Sequence, residues 1–146
     1  MSEIDRPQLT PVRRWAARGA AVFCVGFALF QLALALGAPF GQVAWGGSSA
    51  VLPAALRWTS VGAAIYLLVA AAIMEVRAGD WGRALPALPF LIFNVFLATQ
   101  LFLNTLANLA AQTEGERVGM GAASAVGCGL CLLALKPARR RAISAD

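Results

Sequence analysis

Two sets of residues in this chain have chemistry to offer: the cysteines Cys24, Cys128 and Cys131, and an amide-rich segment holding Asn94, Thr99, Gln100, Asn104, Thr105 and Asn108. Cys128 and Cys131 form a Cys-x-x-Cys pair, the spacing of a redox dithiol, in which a reactive thiolate is the working species. Apolar neighbours raise a thiol's pKa and make it inert, so the alternative is that all three are small buried hydrophobes. Three cysteines alone also lack the fourth ligand of a zinc site, and the chain has no histidine to supply one. The absence of histidine removes the commonest general base as well.

At about 100° per residue, Asn94, Leu101, Asn104, Thr105 and Asn108 share one stripe of a helix, while Thr99 points away and Gln100 lies at the margin. Carboxamides facing hydrocarbon need partners, so the stripe must turn inward. It then either hydrogen-bonds neighbouring helices or lines a ligand-binding or conducting surface.

The elements that carry these residues are apolar. Of 146 residues 60% are hydrophobic and 13% charged, and the mean hydropathy is +0.71, whereas soluble domains carry about a quarter charged residues. A bilayer core of about 30 Å requires roughly 20 helical residues. Four stretches meet that length, at about 19–38, 58–76, 86–110 and 118–135. Pro86 and Pro89 suit the first turn of the third, and Lys136-Pro137 marks the end of the fourth. The expectation is an all-α, membrane-embedded four-helix bundle forming a single domain over residues 1–146.

Charge sets its direction. With a cytoplasmic N-terminus, Arg6, Arg13, Arg14, Arg18, Arg77, Arg83, Lys136, Arg139, Arg140 and Arg141 fall inside, leaving only Arg57 and Arg117 outside. Ten of the twelve basic residues thus obey the positive-inside rule, and both termini are expected in the cytoplasm. Trp15, Trp45, Trp58 and Trp81 fall at span ends or in loops, as interfacial aromatics do. The net charge of +5 is thereby explained by membrane orientation, without nucleic acid. A cleaved secretory signal over residues 1–38 is the competing reading, but the first apolar run exceeds a signal core of about 7 to 15 residues.

The fourth span is rich in small residues at every fourth position: Gly119, Ala123, Gly127 and Cys131, and again Gly121, Ala125 and Gly129. Such spacing lets helix backbones approach closely. Cys24 and Cys131 share a depth in this arrangement, so a contact between the first and fourth helices is expected there. Residues 39–53 are apolar but broken by glycine and proline. They are either a short interfacial or re-entrant lid anchored by Trp45, or a connecting loop packed over the bundle. Arg57 is placed to pair with Glu114 or Glu116, and Glu75 is a membrane-end charge beside Arg77.

The four spans and the Cys128–Cys131 pair resemble, in outline, membrane thiol oxidoreductases of the vitamin K epoxide reductase type, which would imply quinone reduction. Those enzymes relay electrons through a second cysteine pair in an extracytoplasmic loop, and residues 39–57 and 111–117 contain no cysteine. In size and span number the chain also resembles the small four-helix drug exporters. They work through an embedded glutamate, whereas no Asp, Glu, Lys or Arg falls near the middle of any span here, which disfavours coupled transport. Finally, Leu36-Gly-Ala-Pro-Phe-Gly-x-x-Ala-Trp-Gly-Gly47, Leu52-Pro, Leu56-Arg57, Asn108 and Glu116-Arg117 resemble an uncharacterised family of small bacterial four-span membrane proteins. That resemblance implies the same topology and no activity.

The expected protein is a multi-pass component of a bacterial inner membrane, without a catalytic centre or cofactor. It acts as an accessory or interaction subunit, or binds a hydrophobic small molecule. The alternatives are a small carrier or channel using Asn94, Asn104, Thr105 and Asn108, and a thiol or quinone oxidoreductase using Cys128 and Cys131. The expected partners are the lipid bilayer and either another membrane protein or further copies of the chain.

Overall fold

A computed structural model describes residues 10–79 and 85–135. Within them the chain forms four long helices and no strand. The first, α1, runs over Pro11–Ala35, α2 over Ala54–Ala78, α3 over Ala87–Leu109, and α4 over Gly121–Leu133. A π-helical turn, Gly115–Met120, leads directly into α4, so the last apolar helix is continuous over Gly115–Leu133. All four are long and apolar enough to cross a membrane. Trp81 and the basic residues Arg6, Arg83, Lys136, Arg139, Arg140 and Arg141 lie outside the described residues, as does Pro137.

α1 and α2 start earlier than the apolar runs alone indicate. The Thr10 side chain accepts a hydrogen bond from the Arg13 N–H at 3.3 Å, and Pro11 occupies the first turn, so α1 begins eight residues before the span expected from Gly19. An N-cap of this kind fixes a helix start independently of hydropathy. Gly79 closes α2 in the left-handed conformation (φ +82°), the usual C-terminal stop.

Neighbours are antiparallel. α1 packs along α2 and α3 along α4, α1 also touches α4, and α2 meets α3 more sparsely. The connections 36–53 and 110–114 come together at one end, here called the loop end. Arg57 Nε donates to the Ala35 carbonyl at 2.7 Å, tying the start of α2 to the last turn of α1. This corrects the expected pairing of Arg57 with Glu114 or Glu116: the exposed carbonyls that end a helix are a nearer acceptor, and a cation there also complements the helix dipole. At the opposite end Arg77, buried, donates from Nη2 to the Ala134 carbonyl at 3.1 Å and caps α4 in the same manner.

The main core fills that opposite end. It is built of Ala16, Ala17, Ala20, Ala70, Met74 and Ala78 among others, small side chains that let α1 and α2 lie close, and it includes Cys24, Cys128 and Cys131. On α4 the buried positions are Gly121, Ser124, Gly127, Cys128 and Cys131, spaced three and four apart. Of the two expected small-residue stripes, one glycine in each is used and one is not. A Cβ on Gly127 would come within 2.6 Å of the Phe23 ring and one on Gly121 would contact Asn108, whereas Gly119 and Gly129 have open space. The faces turned away from these contacts are largely apolar, with Val22, Leu29, Ile65, Ile92, Phe102 and Val126 all exposed.

Candidate functional site

The loop end is not closed by helix packing but by the 36–53 connection, folded over it as a cap. Leu34, Ala44 and Leu52 form a second small core with Phe30 and Leu56. A short 3-10 turn, Gly41–Val43, follows, and Gly41 is pressed against the backbone carbonyls of Ser49 and Ala50, where no side chain fits. Beyond it Trp45, Gly46 and Gly47 all take positive φ (54°, 88° and 63°). Two glycines make that path accessible, but tryptophan in the left-handed region costs about 1–2 kcal/mol and needs support. Support comes from α2, where Ser60 Oγ accepts from Trp45 Nε1 at 3.0 Å.

Glu116 fastens the cap from the other side. Buried to 4% exposure in the π-helical turn, it accepts from the Gly46 N–H at 2.8 Å through Oε1 and from the Thr113 hydroxyl at 3.1 Å through Oε2. Thr113 in turn accepts the Glu116 N–H at 3.3 Å. This Thr-x-x-Glu arrangement closes a local loop at the start of the last helix while presenting an acceptor to a residue seventy positions earlier. Glu116 is expected from the sequence only as a partner for Arg57; the Thr113-x-x-Glu116 spacing is a local signal for the helix start, but nothing local encodes the contact with Gly46.

Beneath the cap lies a cleft of about 600 Å³, walled by all four helices. Along α3 it extends from Leu97 to Ala110, a depth of about 20 Å at the rise of a helix. Its floor and sides include Phe23, Phe27, Leu67 and Leu97, and its polar lining includes Gln31, Tyr66, Gln100, Asn104, Asn108 and Ser124, with Gln112 and Glu116 at the cap. The carboxamides of Asn104 and Asn108 thus face the cleft, and neither bonds another helix among the described residues. Gln31 Oε1 and the Tyr66 hydroxyl are buried without a partner on its wall. Buried polar atoms left so cost about 1–3 kcal/mol each, which an occupant able to hydrogen-bond would recover.

The rest of the amide-rich segment is placed differently. Asn94 does not line the cleft; it is fully buried one turn below Leu97, with both side-chain polar atoms unpartnered. Thr105 and Thr99 bond back to their own helix, to the Leu101 and Val95 carbonyls at 2.9 and 3.0 Å. Gln31 and Gln100, from the margin of the stripe or another helix, join Asn104 and Asn108 instead.

The cysteines stand apart from this cleft. Cys24 and Cys131 have no exposed surface, and Cys128 Sγ lies 3.4 Å from the Ala98 carbonyl, to which its S–H is directed. All three are free thiols within the main core. Incubating the native protein with a membrane-permeant maleimide is therefore expected to leave them unmodified until denaturant is added; rapid native labelling of Cys128 or Cys131 would restore the dithiol reading. Among the described residues, no three potential ligands gather to hold a metal ion. No family model, curated protein or solved structure matches the chain.

Proposed function

We propose that this chain is a multi-pass membrane protein that binds an uncharged amphiphile in the cleft beneath its cap. Embedding is supported by the outward faces of the helices, whose continuous apolar surface far exceeds what a water-soluble monomer exposes. Trp15 and Trp58, exposed in the opening turns of α1 and α2, suit the two interfaces. The distribution of arginine and lysine supports cytoplasmic termini and an external cap, with a bacterial inner membrane as the setting.

The observation that carries the binding reading is the convergence of Gln31, Gln100, Asn104 and Asn108 with the Tyr66 hydroxyl on one apolar-walled space. Its volume lies within the range of about 300–1,000 Å³ typical of small-molecule sites. Amides both donate and accept, so they suit a neutral head bearing hydroxyl or carbonyl groups. The acid on the wall, Glu116, has one oxygen engaged by the Gly46 N–H of the cap and the other by the Thr113 hydroxyl. Binding is better supported than conduction, because the alanine, methionine and cysteine core fills the end opposite the cap. The same binding role suits an accessory subunit that presents a lipid-like molecule to a partner.

Purification in mild detergent, followed by mass spectrometry of the organic extract, tests this. A neutral amphiphile is expected at near-stoichiometric yield, and Asn104→Leu and Asn108→Leu are each expected to lower its retention by about 2- to 10-fold, the worth of one hydrogen bond. Retention unchanged in the double variant would remove the amide cluster from the site.

A further inference from the structure

A second space adjoins the cleft. It is a groove of about 630 Å³ between α1 and the π-helical turn, lined by Phe23, Gly26, Phe27, Phe30, Gly115 and Gly119, with Val43 and Met120. Its lining contains no polar side chain. Phe23, Phe27, Val43 and Met120 belong to the walls of both spaces, so the groove and the cleft are separated only by these side chains. The Phe23 and Phe27 rings of that partition lie 4.5 Å apart, tilted by 32°.

Glycine gives the groove its depth. Neither Gly26 on α1 nor Gly119 on the π-helical turn has any atom within 4 Å of where a Cβ would stand. A side chain at either position would stand in the groove.

We infer that the groove holds the hydrocarbon tail of the amphiphile whose head occupies the cleft, the tail passing the Phe23–Phe27 partition. The inference rests on the binding reading above and adds the ligand's architecture: one neutral hydrogen-bonding head and an apolar chain that leaves it sideways, between α1 and the start of the last helix. The shared partition carries this assignment. A bilayer lipid resting its own chain in the groove would have no reason to depend on the cleft, whereas a single ligand occupying both spaces would be lost from both together. Phenylalanine and methionine suit the crossing point, because they part by side-chain rotation without any change of backbone.

Two photoreactive monoacylglycerols separate these possibilities on the full chain in phosphatidylcholine vesicles, one with a diazirine on the glycerol and one with it at the chain terminus. The head probe is expected to label the cleft segment 97–112, and the tail probe residues 23–30 and 115–120, both displaced by excess unlabelled monoacylglycerol. Gly26→Leu, which fills the groove, is expected to reduce displaceable tail labelling by about fivefold or more, as bulky insertion into occupied space does. Gly119→Leu fills the same groove from the other wall and serves if the first variant fails to fold.

Displaceable head labelling in the cleft, with tail labelling spread over all lipid-facing surfaces, would overturn the groove assignment and leave the binding reading intact. Displaceable tail labelling in the groove that persists when Asn104→Leu and Asn108→Leu abolish head labelling would also overturn it, since the groove would then hold an independent lipid. No displaceable labelling by either probe would remove both.

Discussion

Replacing Glu116 with alanine is expected to release the cap and to destabilise the protein by about 3 kcal/mol, from the loss of two hydrogen bonds to a buried acidic side chain at about 1.5 kcal/mol or more each. The Gly46 N–H and the Thr113 hydroxyl both lose their acceptor in a site that is 4% exposed at Glu116, so water does not readily replace it. Glu116→Gln separates the two bonds: its amide oxygen can still accept from Gly46, but its NH₂ cannot accept from Thr113, and about half the loss is expected. The consequences reach further than stability. Trp45 and Gly46 line the cleft, and the turn that holds Trp45 left-handed is closed by the Gly47 N–H on the Ala44 carbonyl, anchored by Ser60 at the indole and fastened by Glu116 at the Gly46 N–H. Limited proteolysis within residues 39–53 should therefore accelerate, and the ligand should be lost from the cleft on purification. A Glu116→Ala protein with an unchanged melting temperature and an uncleaved loop would mean that the cap is held by its apolar contacts alone.

The cap shows where sequence reading stops. Four apolar helices were legible because hydropathy is summed over about twenty residues and each helix carries its own signal. The polar stripe of the third helix was legible for the same reason, being a local property, although only Asn94 and Leu101 of it are buried and Asn104 is exposed. What those amides meet is not local. The sequence left open whether Asn94, Asn104, Thr105 and Asn108 bond other helices or border a ligand, and the structure divides them. Asn104 and Asn108 face the cleft, Asn94 lies in the core without a partner, and Thr105 returns to its own backbone.

Residues 39–53 left two alternatives open for a related reason. Glycine and proline said that the segment breaks, but its conformation is dictated by Ser60, Thr113 and Glu116, contributed by α2 and by the start of the last helix. Arg57 was misassigned to Glu114 or Glu116 by counting charges of opposite sign on one side. The helix end at Ala35 carried no charge to count, yet it offered the nearer acceptor.

The small residues of α4 supply the sharpest contrast between composition and contact. Gly127 and Gly129 are two positions apart on one helix and identical in sequence terms, yet a Cβ on the first would stand 2.6 Å from the Phe23 ring while one on the second would meet nothing. Gly127→Val is therefore expected to destabilise the protein by about 1–3 kcal/mol, the usual cost of forcing extra volume into a packed contact. Gly129→Ala is expected to stabilise it by up to about 1 kcal/mol through helix propensity alone. Thermal unfolding of the two variants in one detergent reads both signs. Because Phe23 also stands in the partition between cleft and groove, its displacement by Gly127→Val should alter ligand retention, whereas Gly129→Ala should leave retention unchanged. Equal effects from the two substitutions would place α1 and α4 in a different rotation from the one described, with the small residues acting only as a smooth surface. Opposite signs would show that a single glycine sets the approach of α1 to α4, and with it the position of the aromatic pair on which both spaces depend.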